Sequence, residues 1–110
     1  MDTVIIVVER KGKEYLFEFY LGSNMDRLGD CNVGNTSRGK KQTCIFVSWF
    51  GIEDNYQKQG YGRICYSTVE KYLSQLGYSR FRLTSLDKSR PFWRKMGYKG
   101  KKGDTMYKHL

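Results

Sequence analysis

A nearly continuous apolar segment, TCIFVSWFGI at residues 43–52, constrains the fold more than any other part of this chain. A strand buried on both faces has this composition, because it lacks the regularly alternating polar residues that a solvated face carries. Gly51, near the end of the segment, predicts a β-bulge or a close approach of another backbone. The segment therefore predicts a buried strand whose regular pairing is disturbed near Gly51.

The next two segments extend this strand into a βαβ unit. Residues 62–76 have apolar side chains at helical spacing, and Gly77 suits the end of such a helix. The predicted apolar stripe consists of Cys65, Val69, Tyr72, Leu73 and Leu76. Residues 80–86, RFRLTSL, alternate as a strand with one buried face does. A strand, a helix and a strand in succession predict a right-handed crossover between parallel strands.

The two ends of the chain predict antiparallel hairpins and a second helix. Residues 3–8 and 14–21 are rich in β-branched and aromatic side chains and are separated by the turn-forming sequence RKGK. Residues 87–96 predict a short helix with Pro91 in its first turn, and residues 98–110 predict a final hairpin. The predicted fold class is α+β: a single domain with a mixed, mostly antiparallel sheet, a central βαβ unit and two helices.

Residues 22–42 differ in composition from the segments around them. Glycine recurs among Asn, Ser, Asp and Lys, and large apolar side chains are few. This pattern predicts a long loop, and loops of such length in a compact domain are commonly functional or mobile. The segment is therefore either a lid over a substrate or a disordered excursion, and its composition leaves both open.

The cysteines indicate the compartment. Cys31, Cys44 and Cys65 cannot all pair within one chain, and their spacing matches no zinc pattern even with His109. Free thiols in a reducing compartment and no metal are the expectation. The apolar run at residues 4–8 is too short for a signal-peptide core, and no segment approaches the roughly 20 apolar residues of a membrane span. We expect a cytoplasmic or otherwise intracellular protein outside the membrane.

Positive charge is concentrated in the last third of the chain. The formal net charge is +9. Residues 78–110 carry ten Lys and Arg against two Asp and Glu, whereas residues 1–77 carry ten against nine. Such a basic field favours a polyanionic partner, namely a phosphorylated cofactor, nucleic acid or an acidic protein, but it also makes a soluble surface. Charge alone leaves these alternatives open.

The sequence QKQGYG at residues 57–62 joins the buried strand to the first helix. A helix N-terminus carries unpaired N–H groups and about half a positive charge, and glycines at positions 60 and 62 let an anion approach. With Lys58 and Arg63 nearby, the segment predicts a pyrophosphate-binding loop; an ordinary tight turn is the alternative. Two other phosphate motifs do not fit, because Arg63 and Ile64 follow Gly62 instead of Lys-Ser/Thr, and position 65 is cysteine instead of glycine.

The sequence YQKQGYG resembles the Q/R-x-x-G-x-G/A motif, often preceded by tyrosine, of the GNAT N-acetyltransferase superfamily. PFWRKMGY at residues 91–98 resembles the F-Y-x-K-x-G-F segment of that family, and the ending DTMYKHL resembles its final strand. The resemblance covers residues 44–110, which would be the acetyl-CoA-binding half. Residues 1–43 show no such similarity and are too short for the first strand and two helices of the family, so the chain resembles a trimmed member.

The resemblance implies acetyl-CoA as co-substrate and assigns contacts to it. The backbone N–H of Phe50 would face the thioester carbonyl as an oxyanion donor, and Gly51 and Ile52 would accompany the pantetheine arm, with Ile52 pairing with its amides. The implied contacts from the later helix are Ser89, Phe92 and Trp93. The implied pyrophosphate cradle consists of Gln57, Lys58, Gln59, Gly60, Tyr61, Gly62, Arg63 and Ile64.

The implied reaction is direct attack of a neutral amine on the thioester while both substrates are bound. Here the sequence departs from the family: its glutamate base falls on Phe46, and its tyrosine acid falls on Trp93, which has no acidic proton at useful pH. Ser48 or Asp87 could order a water instead, and Glu53 is less suitably placed. Each has a second interpretation, Ser48 as a small strand residue and Asp87 as a helix N-cap.

Two functions follow from these patterns. The first is an N-acetyltransferase whose acceptor is an amine on an acidic protein or on RNA, because the basic third would repel polyamines. The alternative is a catalytically degenerate member of the fold, or a basic nucleic-acid-binding module whose interleaved arginines and aromatics stack on single strands. Phe46, Trp49 and Phe50 would line an acceptor pocket or belong to the core. A homodimer would complete the short N-terminal half.

Overall fold

The computed structural model describes residues 2–36, 44–100 and 105–110 of the chain. Its strands are β1 (Val4–Lys11), β2 (Glu14–Leu21), β3 (Arg27–Asn35), β4 (Cys44–Ile52), β5 (Arg80–Thr84), β6 (Lys99–Gly100) and β7 (Thr105–His109). Its helices are α1 (Tyr61–Gln75) and α2 (Arg90–Lys95), with 3-10 turns at Asp54–Tyr56 and Asp87–Ser89. Within these ranges, neither helix combines the length and the apolar character that crossing a membrane requires.

The strands form one mixed sheet in the order β1–β2–β3–β4–β5–β7–β6. β4 and β5 are parallel and α1 connects them, which confirms the predicted βαβ unit. The other neighbouring strands pair antiparallel, including β1 with β2 and β6 with β7, the two predicted hairpins. The predicted α+β class, a mostly antiparallel sheet with two helices, is therefore confirmed.

The long loop predicted for residues 22–42 is wrong in its central part, because Arg27–Asn35 forms the strand β3. β3 pairs along its length with β2 on one edge and β4 on the other. Its buried apolar residues are Leu28, Cys31 and Val33. β3 is buried because β2 and β4 pair with its two edges. The small and polar residues of the segment do not indicate this burial. Residues 37–42 of the predicted loop lie outside the described residues.

The close backbone approach predicted at Gly51 is confirmed. A Cβ added to Gly29 in β3 would lie 2.0 Å from the carbonyl oxygen of Gly51, so only glycine lets the two strands pack this closely. The bulge lies elsewhere, because the register of β3 and β4 shifts so that Ser48 is the extra residue. The disturbance expected near Gly51 therefore begins earlier along β4.

Both helices pack on the same face of the sheet. The ring centroids of Tyr66 in α1 and Trp93 in α2 are 4.7 Å apart, and both rings contact Phe50 of β4. Phe50 also lies 6.1 Å from Phe19 of β2, centroid to centroid. Edge-to-face contacts of this kind add to the burial of large apolar surfaces. An aromatic cluster thus joins both helices to the middle of the sheet.

The opposite side of the sheet, which we name the helix-free face, carries no helix in the described part of the chain. It is defined by Val7 of β1, Trp49 of β4 and Tyr107 of β7, which are 47%, 55% and 42% exposed. Side chains of successive strand residues alternate between the two faces. Phe50, next to Trp49, accordingly points into the core while Trp49 points to solvent.

The buried stripe of α1 differs from the predicted one. Its buried residues are Tyr61, Cys65, Tyr66, Val69, Glu70 and Leu73. Leu76 was predicted to be part of the stripe, but it lies beyond the last residue of α1 and is exposed. Tyr72 is partly exposed, although its ring packs edge-on against Phe17 at 5.7 Å. The stripe is therefore centred closer to Tyr66 and Glu70, which bring polar groups into the core.

A chain of polar groups runs through this core from α1 to β7. The hydroxyls of Tyr66 and Tyr98 lie 2.5 Å apart, and Tyr98 donates to Glu70 Oε2 at 2.9 Å. Glu70 Oε1 accepts from Lys108 Nζ at 2.8 Å, and Lys108 also donates to the Met96 carbonyl at 2.6 Å. Burial raises the pKa of both tyrosines well above the ordinary value, so they remain neutral. Each of these buried groups thus has a hydrogen-bond partner, as burial requires.

The buried thiols predict a loss of stability in alkaline solution. Cys31 and Cys65 are buried and form no disulfide. Burial raises the pKa of Cys65 to about 12. Because the folded-state pKa is the higher one, the contribution to stability is complete below about pH 9 and is lost as the pH rises towards 12.

We expect the free energy of unfolding, measured in urea, to decrease from about pH 9 upwards. Cys65→Ala should reduce the slope of this free energy against pH by up to about 1.4 kcal/mol per pH unit. Slopes are compared instead of absolute stabilities, because removing the sulfur also leaves a cavity. Equal slopes in the two proteins would contradict the prediction.

Candidate functional site

The candidate site is a cleft of about 850 Å³ at the point where β4 and β5 separate. The two strands pair in parallel only as far as Val47 and Leu83, although β4 continues to Ile52. The bulge at Ser48 bends β4 at this point, so its last residues diverge from β5. The loop at residues 57–62 and the helix α2 supply the other walls.

The structure brings most of the predicted site residues together in this cleft. Those that line it are Ser48, Phe50, Gly51, Ile52, Gln57, Lys58, Gly60, Gly62, Arg63, Ser89, Phe92 and Trp93. Gln59, Tyr61 and Ile64 are not among the lining residues, so their predicted roles depend on backbone N–H groups. Asp87 is exposed and also lies outside the lining. Its interpretation as a helix N-cap is wrong, because Ser89 occupies the cap position of α2.

The lining of the cleft is basic. Lys58, Arg63, Lys88 and Lys95 contribute cations, and the described lining residues include no carboxylate. Lys88 and Lys95 were not predicted, although the basic bias of residues 78–110 was a signal for them. They enter the cleft because they lie just before α2 and at its end. This charge distribution favours a polyanionic ligand.

The first turn of α1 presents unpaired N–H groups to the cleft. Gly60 is the N-cap in a left-handed conformation with φ of 89°, which a side chain would strain. The first helical hydrogen bond runs from the Ile64 N–H to the Gly60 carbonyl at 3.4 Å, so the N–H groups of residues 61–63 have no intrahelical acceptor. A Cβ on Gly62 would lie 3.3 Å from the Phe92 ring, so glycine keeps this turn open. An anion with several oxygens suits such a place.

The side chain of Gln57 holds the loop to the end of β4. Its Nε2 donates to the Ile52 carbonyl at 2.9 Å and to Asp54 Oδ1 at 3.2 Å. The donors of Gln57 are therefore engaged within the loop, although the residue lines the cleft as predicted. Gln57 positions the N–H groups that follow it and does not offer its own amide.

Gln57→Glu is expected to weaken the binding of acetyl-CoA, the ligand that the sequence resemblance implies, by about tenfold, because the loop loses two hydrogen bonds and gains a carboxylate beside Asp54. Calorimetric titration measures the effect. Gln59→Glu is the matched control, since Gln59 donates only to the Asn55 carbonyl at 3.0 Å and lies outside the cleft lining. Equal losses in the two variants would show that the added charge, and not the loss of the two Gln57 hydrogen bonds, is responsible.

Two N–H groups of β4 point towards the open edge of the cleft. The Glu53 N–H donates to the Leu28 carbonyl of β3 at 2.7 Å. Because N–H directions alternate along a strand, the N–H groups of Phe50 and Ile52 point away from β3, to the edge where β5 no longer pairs. The ring of Phe50 is stacked on Phe92 with centroids 5.6 Å apart. Phe50 thus combines an anchored side chain with a backbone donor at the cleft.

The described cleft lining contains no carboxylate, imidazole, thiol or phenol that could carry a proton. The Ser48 hydroxyl donates to the Asn32 carbonyl at 3.0 Å across the bulge and keeps its acceptor lone pairs. Glu53 lies outside the lining and forms an ion pair with Arg27 at 2.7 Å. Trp93 is only 6% exposed and belongs to the aromatic cluster. Ser48 is the remaining predicted residue that could order a water inside the cleft.

The aromatics of β4 separate between core and surface. Phe50 packs against the core, and Phe46 is half-buried beneath Arg82, whose guanidinium carbon lies 5.5 Å from the ring centroid. Trp49 lies on the helix-free face, lines the cleft, and donates from its indole nitrogen to Asp30 at 2.7 Å. Of the three aromatics predicted for an acceptor pocket or for the core, Trp49 is the one exposed at the cleft.

The acetyltransferase (GNAT) family model matches residues 5–98 of the chain. No curated protein matches the chain significantly. Among solved structures, a GNAT family acetyltransferase from Elizabethkingia anophelis with acetyl-CoA bound has a TM-score of 0.79 at 11% identity and is covered over 100% of both chains. The PaiA N-acetyltransferase from Thermoplasma acidophilum in complex with coenzyme A has a TM-score of 0.74 at 14% identity, over 89% of this chain and 62% of its own. At these identities the likeness shows the fold alone.

The family match corrects the expected extent of the resemblance. Residues 1–43 showed no recognisable motif, yet the match begins at residue 5. The reason is that β1, β2 and β3 build the scaffold of the sheet and contain no short motif of their own. Described residues 2–36 hold these three strands and no helix.

Proposed function

Because the family match extends over residues 5–98, the chain belongs to the acetyltransferase (GNAT) family, and we propose that it is an acetyl-CoA-dependent N-acetyltransferase. The observation that carries the proposal is the basic cleft between β4 and β5, with unpaired N–H groups of α1 at one end and of β4 along one wall. A thioester with a pyrophosphate and an amide-bearing arm uses both kinds of donor. Structural neighbours that hold acetyl-CoA and coenzyme A support the choice.

The residues present fit acetyl-CoA. The N–H groups of residues 61–63, with Lys58 and Arg63, would receive the pyrophosphate at the start of α1. The N–H of Ile52 would pair with a pantetheine amide, and Gly51 lies next to it in the cleft lining. Ser89, Phe92 and Trp93 would form the opposite wall.

Acetyl-CoA supplies an activated acetyl group: the amine nitrogen forms a bond to the carbonyl carbon, the C–S bond breaks, and the thiolate leaves. The Phe50 N–H would donate to the carbonyl oxygen as negative charge develops there. One preorganised donor of this kind is commonly worth about 3 kcal/mol in the transition state. The cleft would also hold the two reactants together, which removes the entropic cost of their encounter.

The acceptor would lose its proton without a carboxylate, imidazole, thiol or phenol of the described cleft lining. A water that donates a hydrogen bond to Ser48 Oγ would take the proton and pass it to solvent. Asp87, the other predicted candidate, lies outside the lining, so we assign the water to Ser48. The acceptor amine would therefore react mainly in its neutral form.

For the acceptor we propose an amine on an acidic protein or on RNA. Residues 78–110 carry ten basic against two acidic residues, which would repel polyamines and attract polyanions. Trp49 stands exposed at the mouth of the cleft, where a large acceptor can contact it.

Two measurements test the proposal. Calorimetry with acetyl-CoA tests binding, and mass spectrometry of products after incubation with acetyl-CoA, a cell lysate and total RNA tests transfer. We expect binding together with an acetylated protein or RNA product. A wild-type protein that shows no acetyl-CoA binding by calorimetry would contradict the proposal.

The second candidate function is a catalytically degenerate member of the family that binds without transferring. The lack of a carboxylate, imidazole, thiol or phenol in the described lining favours it. Acetyl-CoA binding without thioester turnover on any acceptor would select this candidate over the first.

A further inference from the structure

A second cavity, of about 480 Å³, lies across β4, β5, β7 and β6. Residues paired across neighbouring strands lie on the same face of a sheet. The register pairs Cys44 with Arg80 and Arg80 with His109. It also pairs Arg82 with Tyr107 and Tyr107 with Lys99. We name this cavity the basic trough. On the helix-free face it is lined by Cys44, Arg80, Arg82, Lys99, Tyr107 and His109, and Phe81, Gly97 and Lys108 complete its lining. It shares no lining residue with the cleft.

The charge of the basic trough is uniformly positive. Arg80, Arg82 and Lys99 contribute cations, and its lining residues include no Asp or Glu. The acidic residues that the register places on the same face belong to β1, β2 and β3, and they are Glu9, Glu14, Glu18 and Asp30. Glu9 pairs with Lys11 at 3.6 Å, and Glu18 and Asp30 face Arg27 at 3.9 Å and 3.2 Å, so these three offset cations outside the trough. A polyanion would therefore be attracted to the β5–β6 end of the helix-free face.

Flat groups suited to stacking lie inside this positive field. The Arg82 guanidinium lies over the Phe46 ring, and Arg82 Nε is buried without a hydrogen-bond partner. The Phe46 ring therefore contacts one flat face of the Arg82 guanidinium. Tyr107, the cross-strand partner of Arg82, is 42% exposed. A ring and a guanidinium side by side on an open sheet are the elements of a base-stacking platform.

We propose that the basic trough binds single-stranded nucleic acid. Bases would stack on Tyr107 and Arg82, and Arg80 and Lys99 would contact phosphates. The exposed ring distinguishes this partner from an acidic peptide, which would need the charges alone. A duplex keeps its bases stacked on each other, so a single strand is the form that can use the platform.

The trough also lies near the proposed site of transfer. Cys44 borders the trough and Ser48 lines the cleft, four residues further along β4 and thus roughly 13 Å away. A bound strand could present an amine to the mouth of the cleft. This use rests on the proposed acetyl transfer, whereas binding in the trough does not.

Fluorescence anisotropy with a labelled single-stranded oligouridylate of about twelve residues tests the proposal. We expect Tyr107→Ala to weaken binding by about 5- to 100-fold with an unchanged salt slope, because it removes stacking and no charge. Lys99→Gln is expected to reduce the slope of log K against log salt by about 0.7, because it removes one phosphate contact.

Tyr20→Ala is the matched control, since Tyr20 belongs to β2 on the same face and lies outside the trough. It should bind the oligouridylate like wild type. Binding by Tyr107→Ala equal to that of wild type would overturn the proposal, as would displacement of the probe by polyglutamate as effective as by unlabelled oligouridylate. Acetyl-CoA calorimetry on each variant separates these outcomes from failure of the proposed function, because the two sites share no residue.

Discussion

Gly62→Glu is expected to lower the affinity for acetyl-CoA by about 100-fold, which corresponds to about 2.7 kcal/mol. Gly62 is the second residue of α1 and lines the cleft, and its Cβ position lies 3.3 Å from Phe92 and 3.7 Å from Ile52. A glutamate there would put a carboxylate among the N–H groups proposed for the pyrophosphate. It would fill the space of the anion and repel it.

The fold should survive this substitution. An acidic side chain in the first turn of a helix interacts favourably with the helix dipole, commonly by about 0.3–1 kcal/mol. The ring of Phe92 must give way by a few tenths of an ångström, which Gly62→Ala tests separately. We expect Gly62→Ala to bind acetyl-CoA within about tenfold of wild type, because it adds one methyl group and no charge.

Calorimetric titration with acetyl-CoA measures both variants. Ser67→Glu is the matched control, since it adds the same charge to an exposed position of α1 outside the cleft. It should bind like wild type, and thermal unfolding should be similar in all four proteins. A Gly62→Glu protein that still binds with wild-type affinity would show that the start of α1 does not hold the pyrophosphate.

Glu70→Ala is expected to lower the free energy of unfolding by about 3 kcal/mol. The Glu70 side chain is 8% exposed and accepts hydrogen bonds from both Tyr98 and Lys108. Its removal would leave the Lys108 ammonium with the Met96 carbonyl alone and would take away the acceptor of the Tyr98 hydroxyl. The Lys108 side chain is 21% exposed, so water would recover part of the loss and keep it at the lower end of the range for a broken buried pair.

Urea unfolding followed by circular dichroism measures this change. In a double-mutant cycle, Glu70→Ala with Lys108→Met should be less destabilised than the sum of the single variants, because neither charge is then left alone. Glu9→Ala is the control: its ion pair with Lys11 at 3.6 Å is exposed and should contribute less than about 1 kcal/mol. A Glu70→Ala protein as stable as Glu9→Ala would show that the buried chain of polar groups does not stabilise the fold.

The βαβ unit could be predicted from sequence because its signals are local. Each of its patterns is formed by residues close together in the sequence. They are the apolar run at residues 43–52, the helical spacing after it and the alternation in RFRLTSL. β3 could not be predicted this way, since its burial comes from β2 and β4 on its two edges. Gly29 serves a contact with the Gly51 carbonyl, which no local pattern contains.

The candidate site divides in the same way. The glycines at the start of α1, Gly60 and Gly62, could be predicted, because anion binding by a helix N-terminus depends on adjacent residues. The rest of the site depends on how separate segments meet. Lys88 and Lys95 enter the cleft, the Gln57 amide donates to the Ile52 carbonyl, and the described lining contains no carboxylate.

By itself, then, the sequence determined the order of strand, anion-binding loop and helix, and with it the place of the proposed acetyl-CoA cradle. Only the tertiary structure decided that both helices cover one face and that the other presents a basic trough. The physical reason is register: Arg82 and Tyr107 are far apart in the chain and share a face only because β5 and β7 pair in one particular alignment. Composition revealed the positive charge of the last third, and strand pairing gathered three of its cations beside an exposed ring.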